Sequence, residues 1–194
     1  MPKVSTQHME ARRQQVLDGA RRCFARHGLQ GTTVRALERE TGLSSGAIFN
    51  YFPTKLDLFI ALAEQDNVRA AQLWAEGGLP AVVEAFSQGR DKLTGSYLEL
   101  GQRIWSDPEF RAKWVSRGRS LEKAIHDSIA EALRAGRYRT DVPPAALAAF
   151  TGIFLDGLLL RLRMDGLPAD RQPIYDLYEH AMSGNPVTSA EQGS

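Results

Sequence analysis

The chain has 194 residues, 43% of them hydrophobic, enough for one ordinary core or for a small module joined to a larger one, and too apolar for a disordered chain. Its 24 Lys and Arg nearly cancel its 23 Asp and Glu, so the net charge of +1 excludes reading a partner from total charge. The single cysteine, Cys23, excludes an internal disulfide and fits a reducing cytoplasm.

Charge is unevenly placed. From Met1 to Arg35 there are seven bases (Lys3, Arg12, Arg13, Arg21, Arg22, Arg26, Arg35) and two acids (Glu10, Asp18), the balance expected of a segment facing a polyanion. The N-terminus is polar, unlike a secretory leader. Apolar residues recur at i, i+3, i+4 and i+7 and never alternate for a strand's length, so the fold class is all-α, with about nine helices.

In chain order, Val16, Leu17, Ala20, Cys23, Phe24 and His27 share one face of a first helix, which His27-Gly28 ends. Thr32 and Thr33 can cap a second helix carrying Val34 and Leu37, stopped by Gly42. Ser44 can cap a third, from Ser45 to about Tyr51. Thr54 and Asp57 stand at capping-box spacing for a fourth, which should end before Gly77-Gly78-Leu79-Pro80. Helices are then expected over about Pro80–Leu93 and Ser96–Trp105. Asp107-Pro108 opens a long one to about Ala135, with one apolar stripe of Phe110, Trp114, Leu121, Ile125 and Ala132. The last two cover about Pro144–Arg163 and Arg171–Met182. Ala145–Met164 is nearly long enough to span a bilayer, but Asp156, Arg161 and Arg163 interrupt it, so a buried interface helix is expected and no membrane.

The block from Thr33 to Phe52 carries the chemistry. Two short helices at a steep angle need a small residue in the turn and facing apolar residues, here Gly42 with Val34, Leu37, Leu43, Ile48 and Phe52. This leaves Ser44, Ser45, Gly46, Ala47, Asn50 and Tyr51 outward. Small residues let a helix approach base edges, and Asn and Ser hydroxyls or amides can pair with them. Lys55, at the next helix start, is placed for a phosphate. Phe49 and Phe52 read as core residues.

Residues 12–62 resemble the DNA-binding domain of TetR-type regulators: A-x-x-x-F-x-x-x-G, T-T-V, the glycine turn, S-x-G-x-I-F-x-Y-F and K-x-x-L follow in order. The resemblance implies a helix-turn-helix whose third helix enters the major groove, with Ser44, Ser45, Gly46, Asn50, Tyr51 and Lys55 on DNA and Thr33 and Arg35 on its backbone. It implies a flexible tail (1–9), a DNA-binding domain (10–70, helix-turn-helix 33–52), a ligand-binding and dimerisation domain (71–185) and a polar tail (186–194). Further stretches, DPEFRAKW, RTDVP, LDGL-x-x-RL and DLYE, are similar to the actinobacterial aconitase-repressor subgroup.

That subgroup implies a tricarboxylate such as citrate, with or without Mg²⁺, as effector, and no required cofactor is expected. Candidate ligand residues are Glu99, Arg103, Arg117, Asp156 and Glu179, with Glu179 also the metal candidate. Each has a plainer reading: Glu99 and Arg103 as a surface i, i+4 pair, Arg117 as a snorkelling base, and Asp156 as a partner of Arg161 or Arg163. His126 reads as an ordinary surface or core histidine. Phe150, Ile153, Phe154, Gly157, Leu158, Leu160 and Leu162 cover more of a helix than one packed face needs, so a homodimer through the last two helices is expected. The whole reads as a cytoplasmic, ligand-responsive repressor on palindromic double-stranded operator DNA. Alternatives are a TetR-type regulator of efflux or lipid metabolism with an apolar effector, and a helical interaction module without specific DNA binding. With no phosphate loop, nucleophile motif or metal-spaced histidine pair, the chain reads as no enzyme.

Overall fold

The computed structural model describes residues 6–88, 104, 106–116, 119–164 and 166–184; for Thr6 and Arg163 the backbone alone is described. Among the described residues there are eight helices and no strand: α1 (Thr6–Gly31), α2 (Val34–Thr41), α3 (Ser45–Tyr51), α4 (Lys55–Gln88), α5 (Pro108–Ser116), α6 (Arg119–Arg134), α7 (Pro144–Met164) and α8 (Gln172–Ser183).

The helix boundaries follow local chemistry. Thr33 Oγ1 accepts the Ala36 N–H at 3.2 Å, Ser44 Oγ the Ala47 N–H at 3.4 Å, and Asp107 Oδ1 the Phe110 N–H at 2.9 Å. Thr54 caps α4, with Asp57 N–H donating to Thr54 Oγ1 and that hydroxyl donating to Asp57 Oδ2, at capping-box spacing but without the backbone half of the box. α1 loses helical geometry at Gly28, and α4 does so at Gly77 and Gly78, where a helix end was expected. The expected helix over Ser96–Trp105 lies almost wholly outside the described residues.

The chain divides into two compact units, Met1–Val68 with Arg90–Arg119, and Arg69–Gly89 with Ser120–Ser194. The first is built on Val16, Leu17, Ala20, Cys23 and Phe24 of α1, all fully buried, with Leu37, Ile48, Leu58, Phe59 and Leu62 around them. His27, placed on that face by spacing, is exposed at the point where α1 loses helical geometry at Gly28. The boundary expected near residue 70 falls inside α4, and the first unit also takes α5. There Phe110 is 3% exposed, and the Trp114 ring stacks on Phe59 at 6.0 Å. The stripe expected as one continuous face therefore serves two cores: Phe110 and Trp114 pack in the first unit, Leu121 and Ile125 in the second.

The second unit packs the end of α4 with α6, α7 and α8 around Val82, Val83, Ile129, Leu155 and Met182. Trp74 donates its indole N–H to Ser128 Oγ at 2.9 Å, so its polar edge is satisfied inside the packing. Phe150 and Phe154 stack on Tyr178, at 6.1 and 5.4 Å between centroids. Away from that stack Ile153, Leu160, Met164 and Leu177 are exposed, Ile153 by 74%, and Phe150 is 40% exposed at its edge. Pro144–Leu162 is long and apolar enough to cross a membrane, and only 28% of it is buried within the protomer, so this helix carries a large uncovered apolar side.

Candidate nucleic-acid interface and sensor site

α3 is set against α2 by a short polar and steric kit. Gly42 takes φ +70° at the α2 C-cap and donates its N–H to Glu38 O at 2.8 Å, a left-handed turn that favours glycine. Thr41, 4% exposed, lies against Gly19 of α1 so closely that a β-carbon on Gly19 would stand 2.5 Å from Thr41 Cγ2. Gln15 Nε2 donates to Thr41 O at 2.7 Å, and Thr41 Oγ1 donates to Leu37 O and accepts from Leu43 N–H. α1 and α2 thus meet backbone to backbone, which a sequence shows only as a glycine inside a helix.

On α3, Ile48 is fully buried and fixes the inward side. Gly46 and Asn50, four residues apart, are exposed together, and Ser44 is exposed at the cap. Ser45 is half-buried, its N–H donated to Glu38 Oε1 at 2.7 Å. Tyr51, expected outward, is half-buried against the first core, whereas Phe49, expected in it, is half-exposed and stands outside that cluster. The period of 3.6 explains the exchange: Tyr51 follows Ile48 by three residues onto the inward side, and Phe49 turns away from it. Phe52 is 5% exposed, its ring under the Arg13 guanidinium at 5.2 Å.

Thr33 and Arg35 are exposed at the start of α2, the former with its hydroxyl engaged as the cap. Val34, counted as a contact between helices, is 40% exposed beside them, because the first turn of α2 projects past α3. Lys55, expected to meet a phosphate, has its ammonium donating to Thr32 O at 2.7 Å, Leu29 O at 3.1 Å and Gln30 O at 3.4 Å. It ties the frayed end of α1 to the start of α4, using all three of its donors on main-chain carbonyls. Part of the N-terminal basic excess is likewise paired within the unit. Arg21 pairs with Asp66 at 2.7 Å, and Arg22 and Arg26 both pair with Glu40, at 3.1 and 2.6 Å. The hydrogen bond from Arg22, with that from Arg26, holds the Glu40 carboxyl below its ordinary range against the opposing effect of burial.

Of the sensor candidates, Glu99, Arg103 and Arg117 lie outside the described residues. Asp156 is exposed on α7, and Glu179 is exposed on α8, so α7 and α8 do not aim them into the second core. Glu179 Oε1 accepts from the Tyr138 hydroxyl at 3.5 Å. Partial burial pushes its carboxyl up, opposed by that hydrogen bond and by Arg137. Sequence reading missed the polar group behind it. Tyr178, 2% exposed, and Thr151, fully buried, share a hydrogen bond of 2.9 Å, with the Tyr138 phenol close by. Desolvation first, then the neighbouring phenol and Glu179, drive the Tyr138 hydroxyl well above its ordinary value, so this cluster is neutral and hydrogen-bonded through the physiological range. Its only signal in the sequence was a tyrosine beside the favoured glutamate. No three His, Cys, Asp or Glu side chains gather as a metal set among the described residues, so Glu179 has no such companions there.

The family of bacterial regulatory proteins called tetR matches residues 16–62, which span α1 from its core face to the start of α4. Over 184 residues, 94% of this chain and 98% of the relative, the sequence is 40% identical to the HTH-type transcriptional repressor Rv1474c of Mycobacterium tuberculosis. The chain belongs to the tetR family. It is equally similar, at 40% over 94% of this chain and 97% of the relative, to the HTH-type transcriptional repressor AcnR of Corynebacterium diphtheriae. Salmonella enterica GusR has the same fold, with a TM-score of 0.73 at 18% identity, covering 95% of this chain and all of that one. This tetR-family chain is an AcnR-like helix-turn-helix transcriptional repressor and not an enzyme.

Proposed function

We propose that this repressor reads its operator with α3 and is released from it by a small polyanionic acid bound in the second unit. The observation that carries the first half is the division of α3: Ile48 fully buried on one side, and Gly46 with Asn50 open on the other. An asparagine amide can pair with adenine through its donor and acceptor together, and a glycine beside it lets the helix come close. Thr33 and Arg35, exposed on α2, are suited to the DNA backbone; Tyr51 and Lys55 act from behind, by holding α3 and α4 in place.

A homodimer through α7 and α8 is supported by the uncovered apolar side of Phe150, Ile153, Leu160, Met164 and Leu177. A two-fold pair of reading heads about 34 Å apart would demand a palindromic operator. Such a protein works in the cytoplasm. Citrate or a related tricarboxylate is the effector we favour, from the aconitase-repressor resemblance alone. Mg²⁺ has no set of three ligands among the described residues, and the proposed control does not depend on it.

The test starts from duplexes selected by the full-length protein from a random library. An inverted repeat should emerge. Asn50→Ala should lower the preference for it over shuffled DNA about tenfold, the scale of one good base contact, without changing the melting temperature. Calorimetry with citrate, isocitrate and simpler acids should show one that binds and weakens operator affinity while the dimer persists. An unchanged preference in Asn50→Ala would remove α3 from the role; silence from every acid would remove the effector assignment alone.

A further inference from the structure

Glu38 is the one side chain of α2 that reaches across the turn to the start of α3. Its Oε1 accepts the Ser45 N–H at 2.7 Å, a charge-assisted bond seven residues along the chain, while its own carbonyl accepts the Gly42 N–H that closes the turn. The side chain is half-buried, and Ser45 is the first residue of α3. The first N–H groups of a helix are unpaired donors at its positive end, and a phosphate arriving there would be welcomed whatever the base sequence. Here a carboxylate of the protein already occupies the first of them, and Ser44 Oγ takes the Ala47 N–H.

We infer that Glu38 is a positioning and specificity-determining residue of the reading head. It locks the start of α3 onto α2, and its negative charge turns DNA phosphates away from that helix end, leaving α3 to meet base edges. Backbone affinity then comes from exposed groups such as Thr33 and Arg35 of α2. The role rests on α3 being the helix that reads bases, and the experiment separates the two.

Full-length wild type, Glu38→Gln, Glu38→Ala and Asn50→Ala are titrated with the duplex the wild type selects and with a shuffled duplex of the same composition. Glu38→Gln keeps the side-chain length and an acceptor but removes the charge. It should bind shuffled DNA several-fold more tightly, so that the ratio of selected to shuffled affinity falls. Glu38→Ala removes the cap as well, and should also lose about tenfold for the selected duplex. A purely structural glutamate would weaken both duplexes in the same proportion and leave the ratio unchanged, which overturns the inference. Should Glu38→Ala fail to fold, Glu38→Gln alone decides it by the shuffled-duplex affinity. If Asn50→Ala loses discrimination and Glu38→Gln does not, the Glu38 role falls while α3 stands. If neither loses it, the groove reading falls and takes the Glu38 role with it.

Discussion

The two units solve the same packing problem by different means. In the first, α2 and α3 have eight and seven residues, too short to be stable by themselves. They are pinned by bonds that cross between elements: Lys55 on three carbonyls of the α1 end, Glu38 on Ser45, Gln15 on the Thr41 carbonyl, and Arg22 and Arg26 on Glu40. In the second, α6 and α7 run to 16 and 21 residues and bury enough surface to hold by apolar and aromatic contact, with a few internal polar pairs such as Thr151–Tyr178 and Trp74–Ser128. Directional bonds give the short helices one geometry, which a reader of base edges needs. Broad apolar contact specifies orientation less sharply.

The largest way to break this contrast is to attack what apolar core the first unit has. Phe24, fully buried and edge-on to Phe59 at 5.7 Å, should cost about 3 to 5 kcal/mol when replaced by alanine. Denaturant titration followed by amide exchange should show the loss in residues of the first unit. A loss spread evenly over both units would mean that they unfold together and that the contrast has no energetic meaning.

Next in size is Gly19→Ala. Its new methyl would sit 2.5 Å from Thr41 Cγ2 and 3.1 Å from the Thr41 main chain, and Thr41 is tethered by Gln15, Leu37 and Leu43. Overpacking of this kind costs about 1 to 3 kcal/mol, outweighing the helix propensity that alanine gains over glycine. A melting temperature at or above that of the wild type would show that the polar kit is looser than it looks.

The smallest effect concerns pH, and it has opposite signs in the two units. Glu40 has a depressed carboxyl, so its stabilisation is present above the unfolded value and is lost as pH falls through the folded one. Glu179 has a raised carboxyl, so the stability associated with it is greatest below its unfolded value of about 4.5 and is lost as pH rises through the folded one. Glu179→Gln should therefore raise the stability of the second unit slightly at neutral pH, with the gain vanishing towards pH 4.5. Calorimetric melts at the two pH values measure it, and a destabilised variant at neutral pH would contradict the assignment.

Local chemistry made much of the fold legible before any coordinates. Thr33, Ser44, Thr54 and Asp107 cap where their spacing puts them, and Gly28, Gly42 and Gly77 break the helices, because caps and glycine turns depend on neighbours within a few residues. Gly46 and Asn50 were legible as an outward pair for the same reason. What the sequence hid is set by distant partners. Lys55 looks like a cation facing solvent until the carbonyls of residues 29, 30 and 32 are brought beneath it. Phe49 and Tyr51 are both aromatic and two residues apart, and only the direction of Ile48 tells which of them the core receives. Trp114 could belong to either end of an expected long helix until Phe59 stacks on it.

The arginines of α1 have a consequence for how this repressor meets a changing cell. A cation already neutralised by Asp66 or Glu40 strips few condensed ions from a duplex, and each phosphate that is neutralised steepens the dependence of binding on ionic strength. With Arg21 paired to Asp66, and the exposed Arg22 and Arg26 sharing the one charge of Glu40, operator occupancy should shift less during osmotic upshift than the raw tally of N-terminal bases suggests.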